Sequence, residues 1–102
     1  MDDRQQLLQA KLEELLGSRN VYYQPPESLK MEYPAIRYDL STIDSRYADN
    51  IKYSKNNRYE IIVIDILPDN EVIDKILDLP YSSHDRRYKS DNLNHDVITL
   101  YY

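Results

Sequence analysis

The stretch Tyr59-Glu60-Ile61-Ile62-Val63-Ile64-Asp65-Ile66 constrains this chain most. Four consecutive β-branched residues, Ile61 to Ile64, hold stiff χ1 angles that suit a pleated strand and disfavour a helix. On a strand, Tyr59, Ile61 and Val63 point one way and Ile62, Ile64 and Ile66 the other. Both faces are therefore apolar. Such a strand belongs in the middle of a sheet covered on both sides. Only two other segments show helical periodicity, so part of the cover is expected from elsewhere, another copy of the chain included.

With 102 residues, one small domain spanning 1–102 is expected rather than two. Eleven Tyr stand beside no Phe and no Trp. Tyrosine buries its ring while its hydroxyl stays wet or hydrogen-bonded, which favours shallow cores and contact surfaces. A coding bias that also enriches Lys, Asn and Ile is the plainer account, although it leaves the missing Phe unexplained. Without Cys there is neither a disulfide framework nor a thiolate metal site. No apolar run is long enough to span a bilayer, and Met-Asp-Asp-Arg is not the start of a signal peptide, so the expected setting is a cytoplasm. A net charge of −5 and a pI near 4.9 argue against nonspecific nucleic-acid binding.

Leu8, Leu12, Leu15 and Leu16 recur at helical spacing after Asp2 or Asp3 as the capping carboxylate, and Gly17 suits a left-handed C-terminal cap. A helix over Asp3–Leu16 follows, with Arg4, Gln5, Lys11, Glu13 and Glu14 on a solvated face. Pro25-Pro26 favours extended chain, so Val21–Gln24 reads as a short edge segment, and Glu27–Met31 as one helical turn. Ile36, Tyr38 and Leu40 alternate with Arg37 and Asp39 in a half-buried strand. Ser41–Asn57 is long and polar, which predicts a projecting hairpin or a functional loop, with Asn56-Asn57 turning the chain into the spine. Pro68-Asp69-Asn70 then caps a helix carrying Val72, Ile73, Ile76 and Leu77, and Pro80 stops it. Two more strands are expected around Ser90–Asn94 in the tail. The order α-β-β-β-α-β-β, with consecutive strands between helices, predicts an α+β fold: a mixed, mainly antiparallel sheet of four or five strands.

A single glycine rules out a glycine-rich phosphate loop. His84-Asp85 and His95-Asp96, with Asp65, Asp69 and Asp91, are the nearest approach to a metal constellation, but their spacing fits no ligand motif. Surface or capping histidines are the favoured account, and no catalytic residue, metal site or cofactor is assigned. The serines Ser41, Ser45, Ser54, Ser82, Ser83 and Ser90 read as turn formers. The basic clusters Lys52, Lys55, Arg58 and Arg86, Arg87, Lys89 suit ion pairs or an acidic neighbour better than single-stranded nucleic acid.

Three stretches together carry a resemblance: Asn20-Val21-Tyr22-Tyr23-Gln24-Pro25-Pro26-Glu27-Ser28, Ser45-Arg46-Tyr47-Ala48-Asp49-Asn50, and Asp91-Asn92-Leu93-Asn94-His95-Asp96. With Tyr33-Pro34 and Val63-Ile64-Asp65 between them, the chain from Asn20 onward resembles small tail-completion or tail-terminator proteins from the neck of long-tailed bacteriophages and prophages. Tyr stands where some Phe would be expected, and a Cys would be expected near Ala35 or Ser82. The resemblance implies assembly rather than catalysis. It implies a ring, commonly six-fold, that caps the tail tube and docks on the head connector. It further implies a place in the virion neck after assembly in the host cytoplasm. Partners would be further copies of the chain, the tail tube protein and the connector protein, with no membrane and no specific nucleic-acid binding, although DNA would pass close by.

Candidate interface residues are Arg46, Tyr47, Asp49 and Asn50 on the 41–57 segment, and Tyr101 and Tyr102 at the carboxyl end, because Tyr and Arg commonly anchor interfaces. The plain alternative is that Arg46–Asn50 closes its own loop through Asp and Asn hydrogen bonds. Two other functions compete. One is a small acidic module that inhibits a host protein, which needs carboxylates gathered on one face. The other is a metal-dependent hydrolase built on His84 and His95.

Overall fold

The computed structural model describes the backbone of residues 3–48 and 51–102, and their side chains other than those of 3, 42–48 and 51–56. The elements run α1 (Asp3–Leu16), β1 (Val21–Tyr23), β2 (Ala35–Ala48), β3 (Ile51–Asp65), α2 (Glu71–Leu77), β4 (Ser82–Ser90) and β5 (Leu93–Tyr101). The five strands form one sheet in the order β1-β2-β3-β5-β4. Only β1 with β2 is parallel; the other pairs are antiparallel. The fold is α+β, with the isoleucine-rich strand at its centre.

Both helices lie on the same face of the sheet. There Leu8 and Leu12 of α1 and Val72 and Ile76 of α2 meet Ile36, Tyr38, Tyr59, Ile61, Val63, Ile98 and Leu100. Each fully buried Leu, Ile or Val contributes about 1.5–3 kcal/mol, so this one layer dominates the stability of the body. Ile62 and Ile64 point to the other face with Val97, where Met31, from the connection between β1 and β2, and Leu93 pack over them. The alternation expected of the spine therefore holds through Ile64, and Ile66, past the strand end, is 65% exposed.

This arrangement corrects the expectation that the second face waits for another molecule. Ile62 and Ile64 are only 8% and 2% exposed, covered by residues of their own chain. Two covering side chains suffice because the apolar strip on that face is narrow: the flanking positions are Arg37, Asp39, Glu60 and Thr99.

Local signals explain the ends of the elements. Gly17 closes α1 with φ +79° and donates its N–H to the Glu13 carbonyl at 2.9 Å. At the far end of β3, Asp65 accepts from the Leu67 amide and from Asn70 Nδ2, while Asn70 Oδ1 caps α2 at the Val72 amide, 2.9 Å away. Helix α2 ends at Leu77 with Asp78 as its C-cap, before Pro80 is reached. Asp91 and Asn92, at φ +52° and +63°, make the two-residue reversal between β4 and β5 that Asn and Asp tolerate.

Two expectations fail on the backbone. Glu27–Met31 makes no helical turn; the segment has a single turn bond, Leu29 N–H to the Pro26 carbonyl. Asn56-Asn57 does not reverse the chain but lies inside β3, opposite Asp44 and Ile43. The polar middle is strand on both sides, paired out to Ala48 and Ile51.

Candidate functional site

β2 and β3 are 14 and 15 residues long, whereas β1 pairs with β2 only through Tyr38 and β5 pairs with β3 only as far as Arg58. From Thr42 to Ala48 and from Ile51 to Asn56, among the described residues, the two strands therefore pair only with each other. At about 3.4 Å per residue, roughly 20 Å of ribbon extends past the body. The molecule measures 51 Å along its long axis and 24 × 23 Å across it. Two-stranded ribbons are marginal on their own in water, and both outer edges of this one offer backbone groups to a further strand. Of the two forms the sequence allowed for this segment, the projecting hairpin is the one present.

Arg46 and Tyr47 fall on this arm, at backbone positions opposite Ser54 and Lys52 with a register shift between them. Their side chains, and Asp49 and Asn50 altogether, lie outside the described residues. Tyr101 and Tyr102 sit at the arm's base. Tyr101 pairs with Arg58 and is 39% exposed, while Tyr102 packs partly buried against the main core and donates its N–H to the Asn57 carbonyl at 3.0 Å. The Tyr101 amide in turn bonds the carbonyl of Tyr81, a side chain 81% exposed on a left-handed backbone at φ +63°. Tyr81 thus joins Tyr101 as an exposed aromatic beside the arm. Sequence reasoning missed it, because only β4 pairing back onto β5 brings residue 81 to 101.

Beneath the arm the sheet is locked by a buried polar contact. The Tyr38 hydroxyl accepts from Gln5 Nε2 at 2.8 Å and donates to Gln9 Oε1, and Gln9 Nε2 bonds the Val21 carbonyl at 3.0 Å. Tyr38 is wholly buried between the rings of Tyr23 and Tyr59, with centroids 4.8 and 6.0 Å away. Burial pushes its hydroxyl up from 10.0 to about 12, against the opposing effect of the Gln5 hydrogen bond. Gln5 is therefore not simply part of a solvated face; with Gln9 it ties α1 to β2.

A second buried centre lies near the other edge. Asp96, 2% exposed, takes His84 Nε2 at 2.9 Å and Arg87 Nε at 2.8 Å on the same oxygen, Oδ1. The carboxylate raises the pKa of Arg87, chiefly through that hydrogen bond. A signal existed: Asp96 shares its parity with Ile98 and Leu100 on β5, and a carboxylate in a core-facing row needs cationic partners.

The same register separates the two histidines. His84 faces Asp96 on the helix side, while His95, opposite Ile64 and Tyr88, lies on the other face, stacked on Tyr88 at 4.6 Å with its Nδ1 on the Leu93 carbonyl. A site using both imidazoles would have to reach through the sheet. Among the described residues no three His, Asp or Glu gather as a metal site. The cleft beside α2, about 170 Å³, is lined by Pro68, Asp69, Asn70, Glu71, Ile73, Asp74 and Arg87, and holds no nucleophile paired with a base.

No protein-family model matches this chain. No curated protein matches it either.

Proposed function

We propose that this chain is a structural assembly protein: a subunit of a ring, six-fold in the simplest case, that completes the tail of a long-tailed phage at its neck. It caps the tail tube and joins it to the head connector. In this proposal it works in the virion and is assembled in the host cytoplasm, without a cofactor and without catalysis. The observation that carries the proposal is the β2–β3 arm, a two-stranded ribbon with open edges standing clear of a body that closes its own core. A free ribbon gains little by itself; added to a neighbour's surface it completes its backbone hydrogen bonds and buries new area. Head-to-tail addition of this kind closes into a ring when the rotation between copies allows it.

The neck resemblance supports the same proposal from the residues Asn20–Ser28, Ser45–Asn50 and Asp91–Asp96. An acidic chain, at −5, can also stand beside passing DNA without adhering to it. The inhibitor alternative needs a single acidic face, and the carboxylates Asp69, Glu71 and Asp74 share their cleft with Arg87.

The test is assembly on tail tubes, followed by electron microscopy of the tube ends and by sedimentation. Wild-type protein is expected to form a ring of uniform diameter at one end. The double variant Arg46→Ala, Tyr47→Ala is expected to remain a folded monomer that leaves the ends bare. Equal capping by wild type and variant would remove the arm from the interface, and failure of the wild type to recognise tubes would refute the neck assignment.

A further inference from the structure

β4 is the outermost strand of the sheet, and every residue of it after Ser82 is exposed. It contributes no apolar side chain to either core cluster, so hydrophobic burial does not explain why it stays in the sheet. Polar contacts pin it instead. Arg87 and His84 reach the buried Asp96, Tyr88 stacks on His95 within 11° of parallel, and the Thr99 hydroxyl donates to the Asp85 carboxylate at the bulge between His84 and Arg86. The result is a rigid edge about 30 Å long whose outer backbone groups face solvent. Rigidity matters for docking because an edge already fixed loses little entropy when a partner adds to it.

Its charge selects what can add. β4 carries Arg86, Arg87 and Lys89 against the single acid Asp85, in a chain whose net charge is −5. Two β4 edges brought together would set these cations against one another, so self-pairing is opposed. A nucleic-acid strand has no peptide N–H and C=O ladder to pair with the open edge, so an extended polypeptide is favoured over it. We propose that the outer edge of β4 binds an extended, acidic segment of a partner protein by strand addition, with carboxylates meeting Arg86 and Lys89 and main-chain bonds supplying the rest. This binding surface is separate from the arm and does not depend on the ring.

The test is a titration of the 15N-labelled full chain, at low salt, with blocked eight-residue peptides of Val-Glu-Glu or Val-Lys-Lys repeats, whose charges fall on both faces of a strand as Arg86 and Lys89 do, and with an oligothymidylate of similar length. The Glu peptide is expected to bind saturably below about 1 mM, with shifts centred on the amides of Arg86–Ser90. The double variant Arg86→Glu, Lys89→Glu leaves the Asp96 contacts in place, and is expected to weaken the Glu peptide about tenfold or more and to favour the Lys peptide. Arg87→Lys, which keeps the charge, is expected to retain the Glu peptide. Absence of saturable binding, equal binding of both peptides, tighter binding of the oligothymidylate, or shifts centred away from β4 would each overturn the proposal.

Discussion

Replacing Tyr38 by Phe removes one oxygen atom from the layer between α1 and β2 and keeps the ring. Two effects follow, and they have opposite dependence on pH. At neutral pH the variant leaves Gln5 without its acceptor and Gln9 Oε1 without its donor, both part-buried. The expected cost is about 1–2 kcal/mol. At roughly 4–8 °C per kcal/mol for a domain of this size, that lowers Tm by roughly 5–15 °C. Above pH 10 the wild type begins to lose its advantage. The unfolded Tyr38 ionises near 10.0 while the folded one holds its proton to about 12, so between those values the native state binds more protons and stability falls as pH rises. The loss reaches about 2 kcal/mol by pH 12, enough to erase the neutral-pH gap. Urea unfolding of both proteins from pH 7 to 12, followed by far-UV circular dichroism, measures this directly. Their difference is expected to be constant to about pH 10 and then to shrink and change sign. A difference that stays constant through pH 12 would refute the account of Tyr38.

Other consequences are as direct. Asp96→Asn removes the charge that holds His84 and Arg87, but those partners are 35% and 44% exposed and can return to water, so the expected loss is about 1–3 kcal/mol rather than the larger cost of a wholly buried pair. Chemical denaturation measures that loss, and amide exchange in β4 is expected to accelerate before that in β3. Gly17→Ala is expected to cost about 1 kcal/mol, because φ is +79° while nothing lies within 4 Å to clash with the new methyl group; a neutral result in thermal melts would argue against the left-handed cap. Asn70→Ala, which removes the acceptor at the Val72 amide, is expected to lower stability by about 1 kcal/mol as read by the same melts.

The strongest sequence signals were those that depend on near neighbours. The leucine spacing and Gly17 set α1, Asn70 set the start of α2, and the run Ile61–Ile64 set a central strand. Each of these is settled within a few residues, and each was found where expected. What depended on register was less legible. Asn56-Asn57 has turn chemistry, yet the pairing of Ile43 with Asn57 carries the strand through it. The narrow second face was covered by Met31, a residue whose position follows from how the β1–β2 connection folds over rather than from any periodicity.

The candidate surfaces divide the same way. That residues 41–57 would project was readable from their length and polarity. The pairing of exposed Tyr81 with Tyr101 was not, since it required β4 to return antiparallel to β5. Asp96 was an intermediate case: its place in an apolar row asked for a cation, and only the hairpin register says that Arg87 and His84 supply it.

Hydrogen exchange measured residue by residue, on the free chain and on the chain bound at tail-tube ends, bears most directly on the arm. In the free chain the amides of Thr42–Ala48 and Ile51–Asn56 are expected to exchange orders of magnitude faster than those of Ile61–Ile64, since among the described residues no third strand pairs with the outer ribbon. At the tube ends the arm amides are expected to slow together while the spine is unchanged. Arm amides that exchange equally fast in both states, with protection appearing on some other surface, would contradict the claim that this ribbon is what joins one copy to the next.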